Sequence, residues 1–121
     1  MSERAQLVSV KTVPLTKRFI SAAISYGTAT RRLDTRTANR EAKTLLKLQK
    51  ELPRRGDSGI RALREILSHR NPWVRLWASG ALLPLGDRRA IAELENLAKS
   101  TGELGTYAEM ALLSRPRAED G

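Results

Sequence analysis

The chain has 121 residues, a formal net charge of +9 and no cysteine. This length corresponds to one domain and is enough to bury a core without disulfide or metal staples. The composition excludes a disulfide framework and a thiolate metal site, and the apolar runs are too short to span a bilayer. Because the absence of cysteine fits a reducing compartment, we expect a cytoplasmic protein.

The first helix is predicted to follow a short tail. Residues 1–13 lack a clear period and are predicted to form a flexible N-terminal segment. Pro14 suits the first turn of a helix, where its missing N–H costs nothing. Apolar residues then recur at spacings of three and four, which places them on one face. These residues are Leu15, Phe19, Ala22, Ala23 and Tyr26. Gly27 is expected to weaken the helix near its end.

A second helix is predicted to begin after a cap at Asp34 or Thr35 and to end near Pro53. Its apolar positions are Ala38, Ala42, Leu45, Leu46, Leu48 and Leu52. Its basic residues follow steps of three and four, which keeps them on one helix face. They are Arg40, Lys43, Lys47, Lys50 and Arg54. Five like charges repel one another and gain from a bound anion, so this face is a candidate anion-binding surface; the alternative is an ordinary solvated face.

Asp57 is predicted to cap the third helix, and Asn71 followed by Pro72 predicts the start of the fourth. The buried stripe of the third helix consists of Ile60, Leu63, Ile66 and Leu67. The residues of the fourth helix expected to face inward are Val74, Ala78, Ala81, Leu82 and Leu85. A glycine and a proline in its second half predict a short or kinked helix that ends near Leu83.

Two further helices complete the chain. Gly86 is predicted to close the fourth helix, and Asp87 to cap the fifth, which contributes about 1 kcal/mol, and to pair with Arg75. The apolar stripe of the fifth helix is Ala90, Ile91, Leu94, Leu97 and Ala98. The sixth helix is predicted from about residue 103 to residue 113, and residues 115–121 are predicted to be a flexible tail. Its stripe is Leu104, Tyr107, Ala108, Ala111 and Leu112.

Six helices in three consecutive pairs, joined by short loops, predict antiparallel neighbours and an all-α fold in a single domain over residues 14–114. One helix hairpin leaves its apolar face in water. Stacking three hairpins in sequence buries one continuous core, which is how repeat proteins are built.

Asn71-Pro72-Trp73-Val74-Arg75, followed by Gly86-Asp87, resembles a HEAT-type repeat. In that family a polar cap, Pro, Val and Arg open the second helix of a pair, and a Gly-Asp turn leads to the next pair. Residues 57–100 carry this pattern, whereas residues 14–56 match only as a generic helix pair. The whole chain is also similar to a small bacterial family catalogued only as a domain of unknown function. The resemblance implies a right-handed α-α superhelix of about three hairpins, HEAT- or armadillo-like, and transfers no catalytic residue.

Trp73 and Trp77 are four residues apart and are predicted to lie on a second stripe of the fourth helix, off the buried face. In HEAT pairs the second helix usually lines the concave surface. Both tryptophans and Arg75 are therefore candidate partner-binding residues, since tryptophan is enriched in interface hot spots. The alternatives are packing of the indoles against neighbouring helices, a structural role for Arg75, and a base-stacking platform beside nearby cations.

The charge is unevenly distributed. Residues 1–56 carry 13 basic and four acidic side chains, whereas residues 57–121 carry nine of each. A one-sided basic field favours an anionic partner, the alternative being a role in solubility alone. The sequence has no paired carboxylates at catalytic spacing, metal-ligand cluster, P-loop or dinucleotide fingerprint. We therefore expect a non-catalytic binding or scaffold module for another protein, without metal, cofactor, small-molecule substrate or membrane partner. Binding of nucleic-acid phosphates is the alternative.

Overall fold

A computed structural model describes residues 11–115, and within this range the chain is all-α with no strand. The helices are α1 (Thr12–Arg31), α2 (Thr35–Arg54), α3 (Asp57–Ile66), α4 (Pro72–Leu82), α5 (Arg88–Leu97) and α6 (Gly102–Leu113), with a 3-10 turn (Leu83–Leu85) after α4. The predicted all-α class with six helices is confirmed. The tails predicted at the two ends lie largely outside the described residues. None of the helices in residues 11–115 has both the length and the apolar character needed to cross a bilayer.

The helices α1 and α2 pack on each other over the most extensive contact in the fold. The helix α1 begins two residues earlier than predicted and continues past Gly27 to Arg31, so this glycine does not end it. Leu33 closes the turn with a left-handed φ of 59°. Asp34 then caps α2 as predicted, since its Oδ1 accepts a hydrogen bond from the Thr37 N–H at 3.1 Å.

The helix α4 is central because it contacts each of the other five helices. Its sequence fits this position, since Arg75 is its only charged residue. On one side, α4 completes a core shared with α1, α2 and α3. On another side, it forms a second core with α5 and α6. The two cores meet on this single helix, whose buried residues are Trp73, Val74, Leu76, Ala78, Ser79, Ala81 and Leu82.

The predicted caps of α4 and α5 are confirmed. Asn71 and Asp87 each accept a hydrogen bond from a backbone N–H of the first turn, at 2.9 and 3.0 Å respectively. The cap predicted for α3 is wrong: Asp57 is the first residue of that helix, and the cap position is taken by Gly56. A carboxylate in the first turn is still favourable there, since it faces the positive end of the helix dipole.

The sequence predicts that Leu85 faces inward, and this is wrong because its side chain is 53% exposed. The 3-10 turn over Leu83–Leu85 has about three residues per turn. The helical period of 3.6 therefore no longer gives the direction of the side chain after Leu82. Gly86 ends the turn in the left-handed conformation, with φ at 72°, as predicted for a helix stop.

At two corners of the fold, the chain has two glycines that are three residues apart. Gly56 and Gly102 take positive φ values of 70° and 77°, which favour glycine. Gly59 and Gly105 follow in the first turns of α3 and α6 and are buried. A Cβ on either would collide with a backbone carbonyl oxygen of the preceding segment. Both helices therefore approach the chain before them more closely than alanine would permit.

Asp87 also links α3 to the start of α5. Its Oδ2 accepts a hydrogen bond from Arg64 Nε at 2.7 Å, and the carboxylate side chain is only 5% exposed. The predicted pair between Asp87 and Arg75 is wrong. Arg75 pairs with Glu93 of α5 at 2.8 Å. Each arginine thus joins one of the two neighbouring helices to α5.

The ion pair of Asp87 predicts a pH dependence of stability. Burial alone would raise the pKa of this carboxyl, but hydrogen bonds from Arg64 and from the Ala90 N–H outweigh it and hold the pKa below its usual value. Because the folded pKa lies below the unfolded one, the carboxylate stabilises the fold above about pH 4, and this contribution is lost as pH falls through the folded pKa.

We expect Asp87→Asn, which keeps a capping oxygen, to lose less unfolding free energy than the parent between about pH 5 and pH 2 in urea titrations. Glu95→Gln, an exposed change on α5, is the control. If the parent and Asp87→Asn lose stability equally at acid pH, the pKa of Asp87 is not lowered in the folded protein.

Candidate docking groove and basic face

All tryptophans and tyrosines of the chain meet where α1, α4 and α6 converge. The Tyr26 ring centroid lies 5.6 Å from that of Trp73 and 5.1 Å from that of Trp77, both in T-shaped geometry. Tyr107 lies 6.1 Å from Trp73 and 6.4 Å from Tyr26. Each such pair contributes about 0.5–1.5 kcal/mol beyond area burial. The cluster therefore fastens the first and last helix pairs to the central helix.

Trp73 lies in the interior of this cluster and is 8% exposed. Its indole packs against Gly27 of α1, where a Cβ would collide with the ring. The sequence predicts that Trp73 stands off the buried face, whereas the structure buries it, in agreement with the packing alternative. The reason is that Trp73 lies against Gly27 and Tyr26 of α1 on one side and Tyr107 of α6 on the other. Its indole offers little surface to a partner.

Arg75 uses its guanidinium to hold the loop before α4. Besides the Glu93 pair, its Nη1 donates to the carbonyl oxygens of His69 and Arg70 at 2.7 and 3.0 Å. These contacts join the α3–α4 loop to α5. All of these contacts hold parts of the fold together. Binding of a partner by Arg75 stays a prediction.

A groove opens between α2, α4 and α6, the second helices of the three pairs. Its cavity volume is about 420 Å³ and its wall is mainly apolar. Trp77 is half-buried in the groove, between Leu46 on the α2 rim and Met110 on the α6 rim. The two rim side chains are 52% and 58% exposed, so Leu46 does not join the α2 core stripe as predicted. The groove lining is Tyr26, Leu46, Gln49, Leu76, Trp77, Gly80, Tyr107, Met110 and Ala111.

One hydrogen bond holds the α2 wall of this groove against α4. Gln49 Nε2 donates to the carbonyl oxygen of Trp77 at 2.9 Å. Gly80 leaves room for the amide, since a Cβ there would lie 2.8 Å from Nε2. The Trp77 indole N–H is buried and has no hydrogen-bond partner in the described part of the chain. Trp77 therefore offers a ligand its apolar ring surface and not its N–H group.

The basic face of α2 is exposed along its whole length. It consists of Arg40, Lys43, Lys47, Lys50 and Arg54. Arg36, one turn before Arg40, is also exposed and extends this face, as its spacing of four residues from Arg40 indicates. Of the two acids in α2, Glu41 is half-buried with its Oε1 3.8 Å from Arg40 Nε, and Glu51 is buried against Arg55 at 3.1 Å. The positive charge of this face is therefore offset within α2 chiefly at Arg40.

The basic face and the groove share the α2 rim. Lys43 and Lys50 lie three residues before and four residues after Leu46, so they flank it on the helix surface. At one end of the groove, a smaller pocket of about 270 Å³ shares Tyr26 and Tyr107 with it, and Asp34 and Glu103 line that pocket. The groove thus has lysines beside its α2 rim and a pocket with two acidic residues at one end.

A comparison with known protein families identifies the family to which this sequence belongs. Residues 14–113 match the family model described as a domain of unknown function, DUF2019. The chain belongs to the DUF2019 family. The match confirms the predicted membership of a family of unknown function, and it includes both the groove and the basic face. No curated protein and no solved structure gives a significant match. Within residues 11–115, no group of three or more His, Asp or Glu side chains could hold a metal ion in this DUF2019 domain.

Proposed function

We propose that this DUF2019 domain is a non-catalytic binding or scaffold module that engages a partner protein through the α2–α4–α6 groove. The observation that carries the proposal is the position of Leu46, Trp77 and Met110 on three different helices around one apolar groove. Single exposed apolar side chains are ordinary on a protein surface. Two exposed apolar side chains that border a half-buried tryptophan are typical of a protein-binding site.

The proposal includes the architecture that the sequence resemblance implies. The three pairs would form a right-handed HEAT-like superhelix, with the groove on its concave side. Two observations support this arrangement: the second helices of all three pairs line the same groove, and α4 contacts the helices of both flanking pairs. The bacterial and cytoplasmic setting predicted from the sequence belongs to the same proposal.

The basic face supports a second candidate function, binding of nucleic acid through its phosphates. Its cations from Arg36 to Arg54 extend over roughly 27 Å of helix. Such binding weakens with salt, with a slope of about −0.9 per neutralised phosphate. Failure to bind a generic duplex at about 50 mM salt would eliminate this candidate, because weakly screened phosphate contacts are strongest there.

The proposed function is tested by crosslinking and pull-down from the native host with the full chain as bait. Leu46→Gln/Met110→Gln removes the apolar rims at exposed positions, so the fold should lose less than about 0.5 kcal/mol. We expect this variant to lose the specific partner. Leu113→Gln is the matched control, since its side chain is 85% exposed and does not line the groove. An unchanged set of partners in both variants would reject the groove as the binding surface.

A further inference from the structure

We infer that the segment bound in the groove is an acidic amphipathic helix, which places its apolar side chains over Trp77 and its carboxylates beside Lys43 and Lys50. The inference rests on the proposed function and adds the chemistry of the partner. Two observations together support it: the apolar groove, and the exposed lysines that flank Leu46 on its α2 rim.

The apolar lining of the groove favours a helical partner. Residues of α2, α4 and α6 border an open depression whose lining is almost entirely apolar. Amphipathic helices bind such grooves by inserting side chains at positions i, i+3 or i+4, and i+7. A helix has the further advantage that its own backbone groups are already hydrogen-bonded, so it needs no polar partners from the apolar wall. Gln49 is the only polar amide of the lining, and its Nε2 already donates to α4.

The lysines beside the groove determine which face of the partner lies above α2. Lys43 and Lys50 are seven residues apart, or roughly 10 Å along the helix. Carboxylates at positions i and i+7 of a partner helix running along α2 have the same separation. Each exposed ion pair contributes little to affinity, but together they select an acidic partner over a basic one and accelerate association. Asp34 and Glu103 repel further carboxylates at the groove's end, which favours one register.

Two other occupants fit the observations less well. A nucleic-acid duplex would neutralise the basic face but would leave Leu46 and Met110 exposed to water. A second copy of the chain would bring together two molecules that each carry a net charge of +9, which opposes association. An acidic amphipathic helix satisfies both the apolar groove and the cations beside it.

The test uses three fluorescent peptides of about 18 residues, or about five helical turns. The first is amphipathic with leucines on one face and glutamates on the other, the second is a scrambled sequence of the same composition, and the third has lysines in place of the glutamates. Fluorescence anisotropy at about 150 mM salt measures each Kd. We expect the first peptide to bind at least about tenfold more tightly than either of the others. Equal binding of the scrambled peptide, tighter binding of the basic one, or no binding of any would overturn the inference.

Variants of the full chain locate the binding. Lys43→Gln/Lys50→Gln should weaken the acidic peptide about three- to tenfold, and Leu46→Gln/Met110→Gln at least about tenfold. Arg88→Gln/Arg89→Gln removes the same charge from exposed positions of α5, outside the groove, and should change the Kd less than about twofold. Thermal unfolding of each variant verifies that it is folded. If the two charge variants change the Kd equally, the peptide responds only to the net charge of the protein, and the inference is overturned.

The remaining outcomes separate this inference from the proposed function. If pull-down captures a partner that depends on Leu46 and Met110 but the acidic peptide does not displace it, the inference fails and the proposed function stands. If no capture depends on the groove, both fail. If analytical ultracentrifugation shows a dimer, and Leu46→Gln/Met110→Gln abolishes it, the occupant of the groove is a second copy of the chain and the inference fails. If a nucleic-acid duplex binds and competes with the peptide, the occupant is nucleic acid and the inference fails.

Discussion

Replacing Gly59 by alanine is expected to destabilise the fold by at least about 3 kcal/mol. A Cβ on Gly59 would overlap the carbonyl oxygen of Leu52, so the start of α3 would have to move away from the end of α2. A backbone carbonyl within a helix cannot turn aside as a side chain does. Since small domains have only about 5–15 kcal/mol of unfolding free energy, this single methyl group removes a large share of it. Urea denaturation followed by far-UV circular dichroism measures the loss.

Gly80→Ala is the matched control for this prediction. Both glycines lie in helices, so alanine gains about 1 kcal/mol of helix propensity at either position. A Cβ on Gly80 would meet only Gln49 Nε2, the end of a flexible side chain, at 2.8 Å. We therefore expect a net change within about 1 kcal/mol, the lost Gln49 hydrogen bond offsetting the gain in propensity. Similar stability of the two variants would show that α2 and α3 do not approach as closely as described.

The starts of α2, α4 and α5 could be predicted from the sequence because the capping signals that set them act over a few residues. Asn71 and Asp87 cap their helices through hydrogen bonds to the first turn, and no tertiary contact is needed for that. The ion-pair partner of Asp87 is different in kind. Arg64 and Arg75 are both within reach along the chain, and only the tertiary fold, which brings Arg64 of α3 to the cap residue of α5, selects Arg64. Local chemistry therefore predicted the cap but not the pair.

The candidate site could be predicted in part. The spacing of its cations identified the basic face, because α2 has one solvent face along its whole length. Trp73 was assigned to an open stripe because the helical period was taken to imply one buried and one exposed side of α4. That assumption fails for a helix that contacts five others. The near absence of charge in α4, with Arg75 as its single charged residue, was the available signal. Leu46 was missed as a rim residue because it lies between the buried Leu45 and Leu48 in sequence.

Trp73→Ala is expected to cost about 4 kcal/mol, since it leaves a cavity in the second core and removes the ring contacts to Tyr26 and Tyr107. Trp77→Ala, at a half-buried position, should cost about half as much. Urea denaturation of both variants measures these values. Equal losses, or a larger loss for Trp77→Ala, would contradict the burial of Trp73.

A double-mutant cycle with Gly27 tests the packing of Trp73 directly. Alone, Gly27→Ala should destabilise by about 2 kcal/mol or more, because its Cβ would collide with the indole. In the Trp73→Ala background the same methyl group enters the vacated space and gains helix propensity, so its effect should be near zero or stabilising. The coupling between the two positions should therefore reach about 2 kcal/mol. Additivity within about 0.5 kcal/mol would mean that the indole does not lie on Gly27 in solution, and Trp73 would return to consideration as a surface residue that a partner could reach.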